Sequence, residues 1–487
     1  MSAGPTVGTT VPPFSMPIPM GVIAETGQTH DPWDPGDGSG LKKPLPIEKA
    51  RAKKPDEEKV LAVHADVTDP KDLKQTGWGV LFASDVDPAI KAALQPLLDL
   101  RSSQVNNDAL FKIFEGPEGV KPKQPVAAWA ASRGVALDAP VDPTSGVPFY
   151  LLIVGSLDRI PYEFQAQLDL QWAVGRLHFD KLEDYASYAQ KVCEYETGKA
   201  PAQTKRAALW MPRNPLDMAT PLLAGTMATN FLGEVEGSKP LGSAQGFKLT
   251  SFVGEGQATK QRLGGIFRGS IDGGTPSLIF TGSHGAEWPM SDPEKQQALQ
   301  GALVTQEWTR GQPLEPDNYF AATDLPDDTK VHGTMVFLFA CFGSGCPAQD
   351  SYYRASDGSP RALAPAPLVA KLPQALLSRG ALAVIGHVDR AFSYAFENGQ
   401  GTPQPQVLRD PLTYLMQGKP VGMATDPLNL LWSTLAARMG ILLGSSSGGT
   451  VSAPSPALAN MVIARDDARN YMILGDPAVR LRTEAMS

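Results

Sequence analysis

The stretch GTMVFLFACFGSGCP, Gly333 to Pro347, decides how the rest of the chain is read. Met335 to Ala340 show neither helical periodicity nor clean alternation, the pattern of a strand covered on both faces of a parallel sheet. Such strands point their carboxyl ends at the ligand crevice. Cys341 is therefore expected at the sheet edge, with Gly343 and Gly345 turning the backbone just past it. A second stretch, SLIFTGSHGAEWP from Ser277 to Pro289, repeats the plan with a short apolar strand, a small-residue turn and then His284-Gly285. Parallel strands bring both ends to one edge.

A thiol and an imidazole at one edge are the parts of nucleophilic catalysis, since the cysteine attacks as thiolate and the histidine, with an ordinary pKa of about 6.5, moves the proton. Gly285 leaves room for a substrate carbonyl. Other residues compete for these roles. Cys346 lies beyond the turn and before Pro347. His332 precedes Cys341 by nine positions (341 − 332), which at roughly 3.3 Å per residue is the far end of the strand. His387 ends the apolar run ALAVIG and is expected at the same edge, lining the cleft.

A zinc site from Cys341, Cys346 and one histidine would need a fourth ligand. GSSSG, Gly444 to Gly448, matches a nucleophile-elbow pattern but has no strand before it. No metal or cofactor is expected. The bland reading of Cys341 is a small buried hydrophobe, and a fold that has lost turnover and serves as a binding or scaffold module is the alternative class of function.

The 487 residues allow two or three domains, and a hydrophobic fraction of 42% supports sizeable cores. A net charge of −8 speaks against nucleic acid, which needs clustered Lys and Arg, and no run approaches the ~18 apolar residues of a membrane span. The expected partner is a protein or peptide substrate. Three cysteines make no disulfide framework, and with no basic start followed by an apolar run the cytoplasm is the default.

Residues 1–58, rich in Pro, Gly, Ser and Thr and then in Lys and Arg, are expected to form a disordered or draped arm. From there strands alternate with helices, the mark of an open α/β sheet. GWGVLFASD, VPFYLLIVGS and AVGRLHF read as strands, and LEDYASYAQKVCEYE as a helix with Cys193 on or beside its apolar stripe. Residues 59–235 form one expected subdomain and 236–487 a second. The polar segment Glu287 to Val331 is expected to be a loop or lid over the edge.

Taken in order, AVGRLHF with the helix ending YAQKVCEYE, SHG after an apolar strand, the ACFGSG turn and the terminal ILGDPAVRLR resemble the gingipain-type cysteine peptidases, which share a clan with caspases. The separation of His284 and Cys341, 57 residues (341 − 284), is close to the roughly 50 of caspases. The resemblance covers roughly Val147 to Arg482. It implies a caspase-like three-layer α/β fold with mostly parallel sheets in two subdomains, and peptide hydrolysis through a thioester acyl-enzyme. By motif, Cys341 matches the nucleophile, His284 the general base, and the backbone amides of Gly285 and Cys341 the oxyanion donors. It also favours Arg or Lys before the scissile bond. Such a side chain needs a carboxylate in its pocket, and Asp389 and Glu287 are nearest the expected edge. Arg390 could neutralise Asp389 or itself receive an acidic residue.

Overall fold

The computed structural model describes residues 18–30, 67–137, 139–200, 203–271, 273–354, 358–398, 401–445 and 456–487. Ten strands form its main sheet: β1 Trp78–Phe82, β2 Phe111–Phe114, β3 Tyr150–Val154, β4 Ala173–Leu177, β5 Thr204–Met211, β6 Lys248–Val253, β7 Pro276–Gly282, β8 Met335–Phe339, β9 Ala383–His387 and β10 Tyr471–Gly475. They lie in the order β2-β1-β3-β4-β10-β9-β8-β7-β5-β6. Helices cover both faces, giving the expected three-layer α/β arrangement with a mostly parallel sheet. Every residue of β8 is buried, which is why MVFLF carries no alternation. It runs parallel to both neighbours, with Phe339 opposite Gly282 of β7 and Leu338 opposite Gly386 of β9. β10 is antiparallel to β9.

The strand FKIF, β2, escaped the sequence reading because it is a short edge strand, only partly covered. β5 pairs along its length with β6 and also with β7, so the second half of the sheet begins by Thr204. The link from β4 is helix α1, Leu182–Glu196, which buries Tyr185, Tyr188, Ala189, Val192 and Tyr195 at helical spacing. Cys193 sits beside that stripe, half-buried, its Sγ 3.2 Å from Pro96 O, with burial pushing the thiol up to about 11.

The segment from Glu287 to Val331 is a built layer rather than an open loop. Together with Gly285–Glu287, its Leu303–Val304 and Tyr319–Phe320 belong to a second, five-stranded sheet. The remaining two strands, Gly21–Ile23 and Gln28–Thr29, come from the arm. Val22 and Ala24 are buried with Trp288, Trp308 and Tyr319 in a small separate core. Residues 18–30, within the expected arm, lie on the fold, with Val22 and Ala24 supplying apolar side chains to that core. Residues 1–17 and 31–58 lie outside the described residues. Among the described residues no helix is long and apolar enough to cross a membrane.

Asp476, in the terminal ILGDP, fastens the two halves of the sheet. Its carboxylate accepts from Trp78 Nε1 (3.0 Å) at the start of β1, from Arg101 Nε (2.7 Å) and from Ala478 N–H (2.9 Å), while its own N–H donates to Tyr188 Oη (2.7 Å). Arg101 is buried and also holds Glu196. Removing one partner of a buried pair leaves an uncompensated charge, at a cost of about 3–5 kcal/mol. Asp476→Ala should lose stability on that scale in urea unfolding, and a loss below about 1 kcal/mol would show that the cluster does not join the halves.

Candidate functional site

Opposed residues Gly282 and Phe339 are the last of β7 and β8. Two residues past each stand His284 and Cys341, so the common register delivers both to one edge of the sheet. Both are fully buried. Ser283 N–H donates to Phe339 O (3.1 Å), carrying the pairing one step beyond the ladder.

Gly285 is required by its neighbour. A Cβ there would come within 1.8 Å of Cys341 O and 3.0 Å of Cys341 N, so the crowding is against the backbone of Cys341. The close approach aims two amides at one point: Gly285 N–H and Cys341 N–H both donate to Met20 O, at 3.0 and 3.2 Å. These are the two donors that the motif match assigned to an oxyanion. The turn after the thiol is made by Phe342, whose φ of +58° is left-handed. This costs a non-glycine residue about 1–2 kcal/mol, and Phe342 N–H is held by Asp389 O at 2.8 Å. Gly343 does not make the turn. Gly345 instead allows Tyr162 Oη to approach within 1.9 Å of where a Cβ would be.

Asp217 went unnoticed in the sequence reading. Its Oδ2 lies 2.9 Å from His284 Nε2 and accepts from Thr220 N–H (2.8 Å) and Thr220 Oγ1 (2.6 Å). Burial works to raise its pKa, but the charge and hydrogen bond of His284 with the Thr220 bonds hold it well below the usual carboxylate range. An acceptor at Nε2 fixes the proton there in the neutral ring and leaves Nδ1 as the free acceptor; Nδ1 has no hydrogen-bond partner among the described residues. The ring also meets Trp308 edge-on, centroids 5.7 Å apart. The sequence offered only a weak signal, an aspartate 67 positions upstream (284 − 217) in the turn NPLDM.

Cys341 Sγ accepts from Ala391 N–H at 3.3 Å, and burial pushes the thiol pKa far up. Cys346 is on a different path, its Sγ held by Gln300 Nε2 (3.4 Å) and near Pro347 O (3.3 Å). His332 lies at the amino end of β8, its Nε2 on Lys191 O at 2.7 Å. No cluster of three or more metal-ligating side chains exists among the described residues.

Of the expected substrate-contacting residues, His387 has both ring nitrogens engaged, Nδ1 with Asp389 O (2.9 Å) and Nε2 with Asp467 O (3.0 Å). Burial would lower its pKa, yet Asp467 raises it. Its geometry is that of a brace for the segment beside the thiol. Glu287 is engaged by two arginines, Arg390 Nη2 at 2.7 Å and Arg361 Nη2 at 2.5 Å, and His30 Nε2 lies 3.1 Å away. Burial opposes ionisation, but His30 and these arginines hold Glu287 at about 2. Arg390 turns from Asp389 to join Glu287 and Asp350 (2.6 Å). Among the described residues the Asp389 carboxylate accepts only from neutral donors, Ser351 Oγ (3.1 Å) and Arg390 N–H (2.8 Å), and burial pushes it up to about 6.

Because the Gly285 amide is positioned by contact with Cys341 O, Gly285→Ala should pull the two donors apart while the main sheet persists. The expected result is a shift in the amide NMR signals of residues 285 and 341 with a melting-temperature loss of several degrees. Unchanged signals would mean that the loop absorbs the methyl group and does not set the donor pair.

No protein-family model and no curated protein matches the chain. Among solved structures, one described as a protease is similar over 83% of this chain and 78% of its own, at 13% identity and a TM-score of 0.47. A Saccharomyces cerevisiae separase–securin complex is similar over 68% of this chain, at 11% identity and a TM-score of 0.31, and the match spans 15% of that chain.

Proposed function

We propose that this chain is a cysteine endopeptidase of the caspase-like, gingipain-type group, with Cys341 as nucleophile, His284 as general acid–base and Asp217 as the residue that orients His284. The observation that carries this reading is the pair of amides, Gly285 and Cys341, converging on a peptide carbonyl beside the thiol. Donors aimed where negative charge develops are the largest single contribution in many acyl transfers.

In the reaction, His284 Nδ1 takes the thiol proton as Sγ bonds to the substrate carbonyl carbon. The burial that raises the thiol pKa makes this proton acceptor necessary. The oxyanion draws on the two amides, the C–N bond breaks, and His284 protonates the leaving amine to leave a thioester. Water, deprotonated by the same imidazole, then releases the acid. Asp217 holds the ring and stabilises the imidazolium. The three free cysteines fit the cytoplasm.

A basic residue before the scissile bond is part of the proposal. Glu287 is already spent on two arginines, whereas among the described residues no basic side chain reaches the Asp389 carboxylate. A buried carboxylate with a pKa of about 6 gains most from a cationic guest.

Cys341→Ala should abolish peptide hydrolysis, and His284→Ala should lower kcat by ~100 to 10,000-fold. Asp217→Asn should lower kcat with little change in KM. Full activity in Cys341→Ala and none in Cys346→Ala, measured with a positional-scanning peptide library, would overturn the nucleophile.

For peptides with Arg or Lys before the bond, kcat/KM should rise with pH through about 6 as Asp389 ionises, and this step should vanish in Asp389→Asn. Preferred cleavage after Asp would overturn the basic preference.

A further inference from the structure

The turn that delivers Asp217 also carries a side chain that folding alone does not account for. NPLDM, Asn214 to Met218, follows β5, the neighbour of β7. Asp217 N–H donates to Asn214 O (3.4 Å), with Pro215 and Leu216 between them and Leu216 at a φ of +61°. Proline followed by a residue of positive φ is the pattern of a type II turn, whose third position normally takes Gly or Asn. The strain of a leucine there would ordinarily be offset by burial. Leu216 is instead 79% exposed, more than any other large apolar side chain among the described residues. Met218, on the other flank of Asp217, is 62% exposed.

The rest of the turn is fixed. Asn214 Nδ2 donates to Thr305 O (2.7 Å) and Trp308 O (3.1 Å), and Arg310 N–H donates to Pro215 O (3.3 Å). With Asp217 held by Thr220 and His284, Leu216 and Met218 stand out at the rim of the site, one on each side of the carboxylate that orients the imidazole. A strained residue that its surroundings hold in place and leave unpacked points to function.

The chemistry says which part of a substrate passes this rim. His284 gives its proton to the leaving amine, so the chain after the scissile bond lies on the imidazole's side of the thiol. Within the protein, the residues that follow the carbonyl held by the two amides run towards the same wall: Leu314 N–H donates to Ala24 O (2.8 Å) and Gly311 N–H to Gly27 O (2.8 Å), next to Arg310. At roughly 3.3 Å per extended residue, one or two residues carry a leaving strand past the ring.

We propose that Leu216 and Met218 form the subsite for an apolar side chain at the first or second residue after the scissile bond; this rests on the peptidase reading above. Together with the basic residue before the bond, it defines the substrate as a protein segment in which Arg or Lys is followed within two residues by Leu, Met or Phe. The substrate side chain supplies the apolar packing that Leu216 lacks in the free protein, and the unbranched Met218 adapts to the guest's shape.

Two kinds of substrate test this on the full chain. A peptide ending in Arg joined to aminocoumarin has no residue after the bond and reports the peptidase alone. Quenched fluorescent peptides with Arg before the bond carry Leu, Gly or Asp at each of two positions after it. Wild type should hydrolyse the aminocoumarin peptide and should favour Leu over Gly or Asp at one of the two positions by about tenfold or more in kcat/KM. The Leu-to-Gly ratio, in which any change at His284 cancels, should fall toward one in Leu216→Asn and in Met218→Ser. Because asparagine suits a left-handed backbone, Leu216→Asn should melt at least as high as wild type. Hydrolysis of the aminocoumarin peptide with no preference after the bond, or a preference that survives both substitutions, overturns the subsite and leaves the peptidase standing. No hydrolysis of either kind of substrate removes both. A lower melting temperature in Leu216→Asn would make Leu216 a packing residue and overturn the proposal as well.

Discussion

The pairing of Gly282 with Phe339 is the constraint on which the site depends. It fixes β7 and β8 so that the second residue past each, His284 and Cys341, leaves the sheet at the same level. Burial of the strands makes a slip costly, because moving the register by one residue turns every side chain to the other face. The contact of Gly285 with Cys341 O carries the register into the loops, and the left-handed Phe342 then takes the chain away. Two amides become parallel donors without a helix terminus or a charged side chain to hold them.

Around this frame the charges are sorted into closed and open sets. Arg390 is shared between Glu287 and Asp350, a compensated group that can stay buried. Among the described residues no basic side chain pairs directly with Asp389, and burial outweighs the nearby Arg390 to push its pKa up to about 6. His284 and Asp217 form a third set, in which the carboxylate remains charged and Nδ1 of the imidazole has no hydrogen-bond partner among the described residues. The thiol is different, since the surrounding apolar packing favours its neutral form. In the proposed reaction, proton removal falls to the histidine.

The strands and the Cys341–His284 edge were legible because fully covered strands leave long apolar runs, and MVFLF and SLIFTG are such runs. The helix over LEDYASYAQKVCEYE was legible from its spacing. Asp217 was not, because it comes from a turn before β6 and its partnership is purely three-dimensional. The arm hairpin was hidden for another reason: only a few residues, Gly21 to Ala24, carry the pattern, and they are flanked by Pro- and Gly-rich sequence that reads as unstructured. The division of carboxylates was also beyond the sequence, since whether Glu287 or Asp389 is free depends on where Arg390 and Arg361 reach.

The central claim is that Cys341, activated through His284, is the group that attacks a peptide carbonyl. Its most direct test is peptide mapping after reaction of the folded chain with a peptidyl chloromethyl ketone, an alkylating substrate mimic that needs both a thiolate and a substrate cleft. A single adduct on Cys341, lost in His284→Ala but retained in Cys346→Ala, is the predicted result. An adduct on Cys346, or equal labelling of Cys341 with and without His284, would contradict it.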